Sequence, residues 1–232
     1  MGLLMRLGVP MSIGMEGWAD LTSFAVFTAM WAVMMIAMML PSSYSTLLLH
    51  RTVYSKRTPH QPGGTLLFAA AYFAVWTATA VLFYFAYVGI GHIRSLQAVS
   101  GLTILRLAGV ALICAGIYQW TEAKLACLKH CQTPLQFILQ HWRDGRKGAL
   151  RMGATHALYC FGCCWGLMLV LFVMGVMHLG WMAAIGTVIL LERLLNRSWI
   201  PRMSGSLMIV TGITALISPG KLMQLSSQII AG

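Results

Sequence analysis

Apolar residues run along this chain in six blocks, each about 16–25 residues long, the length that the hydrocarbon of a bilayer demands of a helix. The blocks cover about 21–40, 66–90, 102–120, 155–176, 179–194 and 204–218. Pro41 is expected to stop the first, because proline lacks the N–H that a helix interior needs. The turn-rich "TPHQPGG" precedes the second. From Gly153 to Leu195 the apolar pattern is too long for one span, and the break is placed at "VMHLG", around His178–Gly180, as a tight helical hairpin. The sixth block is the shortest, with Pro219 beyond it. Residues 121–152 form the one sizeable loop. The pattern predicts an all-α polytopic membrane helical bundle of about six transmembrane helices, residues 1–232 forming a single integral membrane domain.

Composition supports this. The chain is 59% apolar and 9% charged, against about a quarter charged in a soluble domain. The first 20 residues hold Glu16 and Asp20 and lack a continuous apolar core with a small-residue cleavage site, so no cleaved leader is expected. The net charge of +11 raises nucleic acid as a partner, but the cations are dispersed through loops as the positive-inside rule requires, and no nucleic-acid partner is expected.

Counting Lys and Arg by side orients the bundle. The loops after the first, third and fifth blocks hold Arg51, Lys56 and Arg57, then Lys124, Lys129, Arg143, Arg146, Lys147 and Arg151, then Arg193, Arg197 and Arg202. The other side holds only Arg6, Arg94 and Lys221. Both termini are therefore expected on the outer, periplasmic side of a bacterial inner (plasma) membrane, with loop 121–152 in the cytoplasm.

That orientation gathers the chemistry. In "LYCFGCCWGLM", Cys160 lies seven residues past Gly153, roughly 10 Å along a helix, with Cys163 and Cys164 one turn deeper. His156, Cys160, Cys164 and Met168 form a stripe at i, i+4, i+8 and i+12. After the third block, Cys127 and Cys131 share a helical face beside His130 and are preceded by Glu122. The first block ends in methionines, with Met35 and Met39 on one face, and the fifth brings Glu192 to the same level. Consecutive helical positions point roughly 100° apart, so Cys163 and Cys164 are not expected to address one ion without strain, and one of them is expected to face lipid or a neighbouring helix. The candidate metal ligands are thus Cys127, Cys131, Cys160, Cys163, Cys164, His130, His156, Glu122, Glu192, Met35 and Met39. Thiolates and thioethers select Cu(I), Zn(II) or iron–sulfur iron over hard ions. The methionines favour Cu(I); zinc would use Cys127, Cys131, Cys160 and Cys163 or Cys164.

Several of these residues have blander readings. A buried cysteine is also a small hydrophobe, which is the reading for Cys114. Membrane methionines are adaptable packing. His178 fits a turn on the outer side, and Glu192 beside Arg193 fits a solvated pair.

Together "AMMLP", "YQWTEAKLACLKHCQTP", "CFGCCWGLMLVLFVMGVMHLGWMA" and the following Glu192 resemble the bacterial family described as predicted metal-binding integral membrane proteins, a domain-of-unknown-function family. The resemblance covers roughly residues 20–200 and implies a multi-span membrane protein with a metal site. His178 and Arg193 depart from it, standing where Asn and Lys are expected.

Three functions compete. The first is a handler of a soft metal ion, Cu(I) favoured and zinc second, for transport or for delivery to a metal-receiving protein or membrane enzyme complex. No P-loop is present, so ATP-driven pumping within this chain is not expected. The second is a thiol–disulfide relay through "CFGC", which lacks an outer-face cysteine to complete a path. The third is an accessory or structural subunit of a membrane enzyme complex. Enzymatic catalysis has only the Glu122–Glu192 pair in its favour, and no catalytic residues are assigned. Close helix approach at Gly162–Gly166 would allow a homodimer.

Overall fold

The computed structural model describes residues 21–58, 60–95, 101–174, 179–195, 197 and 199–218. Among these the chain is wholly helical: α1 (Leu21–Arg57), α2 (Gly64–Ser95), α3 (Gly101–Tyr118), α4 (Glu122–Gln132), α5 (Pro134–His141), α6 (Gly145–Met174), α7 (Leu179–Leu194) and α8 (Trp199–Ile217). Helices α1, α6 and α8, together with Gly64–Ala86 of α2, are long and apolar enough to cross a membrane. Helices α3 and α7 are shorter, at 18 and 16 residues. His178 and Pro219 lie outside the described residues.

Two boundaries differ from expectation. Helix α1 does not stop at Pro41; it runs through it for 37 residues. Proline removes the N–H that would bond the Ala37 carbonyl, yet the next turn is buried at Ser42, Ser43 and Thr46, and the Ser42 and Ser43 hydroxyls both donate to the Met39 carbonyl, at 2.9 and 2.8 Å. Packing against neighbouring helices makes proline tolerable inside such a helix. Helix α6 begins at Gly145, eight residues before Gly153, so Cys160 lies fifteen residues along it, about 22 Å from its start. The loop 121–152 is largely built of α4, α5 and the first turns of α6. Thr121 caps α4, accepting from the Lys124 amide.

Helix α6 is the central pillar. Half of its apolar segment is buried, against about a third for the other three, and it packs on α2, α3, α4 and α7. Helix α2 also packs on α1, where the Trp31 indole N–H donates to the Trp76 carbonyl and the Thr79 hydroxyl and its ring stacks on Phe83. The other extensive contact joins α3 to α8 through two glycine pairs. A Cβ on Gly109 would fall 2.9 Å from the Gly212 carbonyl, and one on Gly212 2.6 Å from that of Gly109; Gly116 and Gly205 repeat the arrangement at 2.7 and 2.8 Å. The antiparallel helices touch backbone to backbone because these four positions carry no side chain.

The Gly162–Gly166 face is also occupied within the chain. Cys127 Sγ lies 2.8 Å from where a Gly162 Cβ would stand, and the Ala115 carbonyl 3.5 Å from that of Gly166. Those glycines seat α4 and α3.

Polarity is inverted relative to a water-soluble domain. Large apolar side chains such as Val33, Leu66, Phe85, Leu107 and Leu207 are exposed, while Lys124, His50, His156, Glu192 and Arg193 are buried. Exposed apolar surface over buried charge agrees with four helices long and apolar enough to cross a membrane. The Arg57 guanidinium lies over the Trp142 ring, 5.4 Å from its centroid, at the turn between α5 and α6.

Candidate metal centre

The stripe on α6 turns inward. Cys160, Cys163 and Cys164 are buried, and their Sγ atoms lie within 4.8 Å of one another. Cys163 and Cys164, consecutive on the helix, both point into the bundle with their sulfurs 3.3 Å apart. The expectation that one would turn away is therefore corrected. Rotation about χ1 offsets the helical separation, with Cys163 Sγ folded back to 3.2 Å from the Cys160 carbonyl.

Two other helices complete a sulfur cluster. Helix α4 supplies Cys131, whose Sγ is 3.9 Å from Cys163 Sγ. Helix α1 supplies Met39, whose Sδ is 3.9 Å from Cys160 Sγ. Metal–thiolate bonds of about 2.3 Å place two sulfurs about 4.6 Å apart across an ion when collinear and about 4 Å apart in a trigonal site. The two 3.9 Å separations are of this size, whereas the 3.3 Å between Cys163 and Cys164 is shorter; the donor types are those that suit a soft ion. All six cysteines are free thiols.

The remaining candidates are placed less centrally. Cys127 is half-buried at the rim, seated on Gly162; burial pushes its thiol above the ordinary range. Hydrogen bonding to Cys160 and Cys163, and then burial, raise the Cys131 thiol. Met35 is fully buried in the same core as the thiols. His130 is not among the thiols: its ring lies on Tyr159, with centroids 4.2 Å apart. His156, one turn before Cys160, is fully buried among Phe68, Tyr72 and Phe137, and neither ring nitrogen has a partner among the described residues. Glu122 is exposed at the start of α4.

Glu192 and Arg193 are not a solvated pair. Both are buried, and each has its own bond. Glu192 Oε2 accepts from Lys124 Nζ at 2.7 Å, Glu192 Oε1 from the Ser204 hydroxyl at 3.1 Å, and its carbonyl from the Gln132 amide. Lys124 also donates to Gln119. This polar knot joins α4, α7, α8 and the turn after α3, and it occupies both carboxylate oxygens. Lys124, which the charge count places in an aqueous loop, is fully buried here. Arg193 instead donates to the Ser42 carbonyl at 2.7 Å, three residues from Met39. Reasoning from sequence also passes over Tyr72, whose hydroxyl is 3.1 Å from Cys160 Sγ. A tyrosine in a run of apolar residues carries no motif, and only the fold of α2 against α6 shows its use.

A sequence family described as PpoB2, copper chaperone, matches residues 28–215, well over half of the chain. This chain belongs to the PpoB2 copper chaperone family. No curated protein and no solved structure matches it. The matched region of the PpoB2 family member holds every sulfur of the cluster, from Met39 to Cys164. The family description names copper, and zinc gains no support from it.

Proposed function

We propose that this PpoB2 family protein is a membrane-embedded carrier of Cu(I). It holds the ion on thiolates drawn from Cys131, Cys160, Cys163 and Cys164, with the Met39 thioether beside them, and hands it to a metal-receiving protein or membrane enzyme complex. The observation that carries the reading is the convergence of four thiols and a thioether from three helices in a dry core of a copper chaperone family member. Loading is ligand exchange without redox change: Cu(I) displaces a proton from each thiol that becomes a thiolate ligand, and release to an acceptor returns the protons. Delivery is favoured over transport because the chain has no P-loop to drive translocation and its family is one of chaperones.

Counting α3 and α7 with the four longer helices gives six spans, both termini outward and the cationic loops in the cytoplasm of a bacterial inner membrane. A pocket lined by His141, Arg143, Arg151, Met152 and Thr155 opens along the first turns of α6.

The test is metal analysis of the full chain purified under reducing conditions, beside the Cys131→Ser/Cys163→Ser protein. The expected result is copper in fixed proportion to protein, lost in the double variant while helicity is retained. Copper content unchanged by the two substitutions would remove the sulfur cluster as the site.

A further inference from the structure

Arg193 is the one group at this centre that the sulfur chemistry does not explain. Its side chain is 5% exposed. One nitrogen bonds the Ser42 carbonyl, but Nε and Nη2 have no partner among the described residues. No carboxylate there answers its charge: Glu192 is bonded to Lys124, Glu122 is exposed, and Asp144 is exposed and accepts from the Trp142 indole. A buried guanidinium without a counter-charge costs several kcal/mol. The buried groups with which its charge interacts include Cys131, Cys160, Cys163, Tyr72 and His156. Its bonded partner Ser42 lies on α1 one turn from Met39, to whose carbonyl the Ser42 hydroxyl donates, and Met39 Sδ is 3.9 Å from Cys160 Sγ.

We propose that Arg193 is the built-in counter-charge of the copper site, offsetting the negative charge that a Cu(I) dithiolate brings into the buried cluster and offering it two free N–H donors. The inference rests on the Cu(I)–thiolate reading above. A monovalent ion with two thiolates is an anion of unit charge, and one guanidinium makes the assembly neutral. A divalent ion on the same two thiolates is already neutral, so beside Arg193 it leaves an uncompensated positive charge in a low-dielectric interior. Arg193 therefore serves affinity for Cu(I) and discrimination against Zn(II) at once. It acts through the thiolates and is a positioning residue, not a ligand.

The experiment is titration of the full-length protein in detergent with Cu(I) against a chromophoric Cu(I) chelator, and separately with Zn(II). The proteins compared are wild type, Arg193→Gln and Arg193→Lys. Glutamine keeps an N–H donor for the Ser42 carbonyl and removes the charge; lysine keeps the charge. The expected result is a loss of Cu(I) affinity of about 10–100-fold in Arg193→Gln, a smaller loss or none for Zn(II), and Cu(I) binding restored to within a few-fold in Arg193→Lys. Thermal unfolding of the metal-free proteins provides the structural readout, and Arg193→Gln is expected to be no less stable than wild type, since it removes a buried unpaired charge. Wild-type Cu(I) affinity in Arg193→Gln, or equal losses for Cu(I) and Zn(II), would overturn the proposal while leaving the sulfur site standing. If Arg193→Gln fails to fold, Arg193→Lys decides alone: a folded lysine variant with tenfold or greater loss of Cu(I) affinity overturns it. A wild-type protein that binds no Cu(I) removes the underlying reading and this inference with it.

Discussion

Tyr72 and Cys160 show how a proposed metal ligand is held in place by a residue that has no such role in the proposal. The tyrosine is fully buried, and its hydroxyl has the Cys160 sulfur at 3.1 Å. An O–H donated to a sulfur ligand fixes its direction and moderates its charge, and loss of such a partner typically costs 10–100-fold in metal affinity. Tyr72→Phe should therefore hold Cu(I) about tenfold more weakly in chelator competition, with unchanged helical content by circular dichroism. A second expectation concerns protons. Its thiol neighbours and burial hold the Cys131 thiol above the ordinary range, and Cu(I) must displace a proton from any thiol it binds. A raised thiol favours the proton over the metal until the pH climbs, so retention of Cu(I) should strengthen between about pH 6 and about pH 8. The dependence should flatten in Cys131→Ser, measured in the same competition.

At the scale of elements, two junctions hold the helices that carry the site. The first is the Lys124–Glu192 ion pair, which ties the short α4, and with it Cys131, to α7. Breaking a buried pair from one side leaves a bare charge and costs about 3–5 kcal/mol. Lys124→Met should lower the unfolding midpoint and expose Cys131 to a thiol reagent, whereas Lys124→Met/Glu192→Leu should recover much of the stability. A double variant as unstable as the single one would show that the pair is not the source of the effect. The second junction is the glycine contact of α3 with α8. A methyl group at Gly116 or Gly212 would lie 2.6–2.7 Å from atoms of the partner helix, too close for α3 and α8 to keep their separation. Gly116→Ala/Gly212→Ala is expected to release α8 from α3, read as faster proteolysis near Trp199, while Gly89→Ala, which meets nothing within 4 Å, leaves the protein intact.

Over the whole molecule, legibility followed the physics of each signal. Blocks of apolar residues are a length signal, and length alone picks out α1, α2, α6 and α8 as able to cross a bilayer. The thiols of α6 and α4 were legible for the same kind of reason, since i, i+3 and i+4 spacing survives whatever the tertiary structure does. Pairing was not legible. Lys124 and Glu192 are 68 residues apart, and nothing in a charge count distinguishes a cation at the membrane edge from one folded under a helix. Arg193 was hidden by the same arithmetic. Pro41 is no helix stop here because the helix beyond it is held by burial of Ser43, Thr46, His50 and Tyr54 against neighbouring helices, contacts that exist only in the folded chain. Reporter fusions after Arg57, within residues 143–147 and after Arg197 should report one common side of the membrane, opposite to fusions near Arg94. Any of the three found on the other side removes the six-span topology.

The length of α1 bears on where the proposed Cu(I) ion would sit relative to water. At 37 residues the helix is about 55 Å long, against a hydrocarbon thickness of about 30 Å. A helix that enters the hydrocarbon at Leu21 leaves it about twenty residues later, at Pro41, and Met39 is two residues short of that point. On this reckoning the Met39 side of the sulfur cluster lies near the edge of the oily layer, not at its midplane, and the rest of α1, about 25 Å, continues beyond it packed on its neighbours through His50 and Tyr54. An acceptor working from the aqueous phase would then need to reach only headgroup depth to come within range of the cargo.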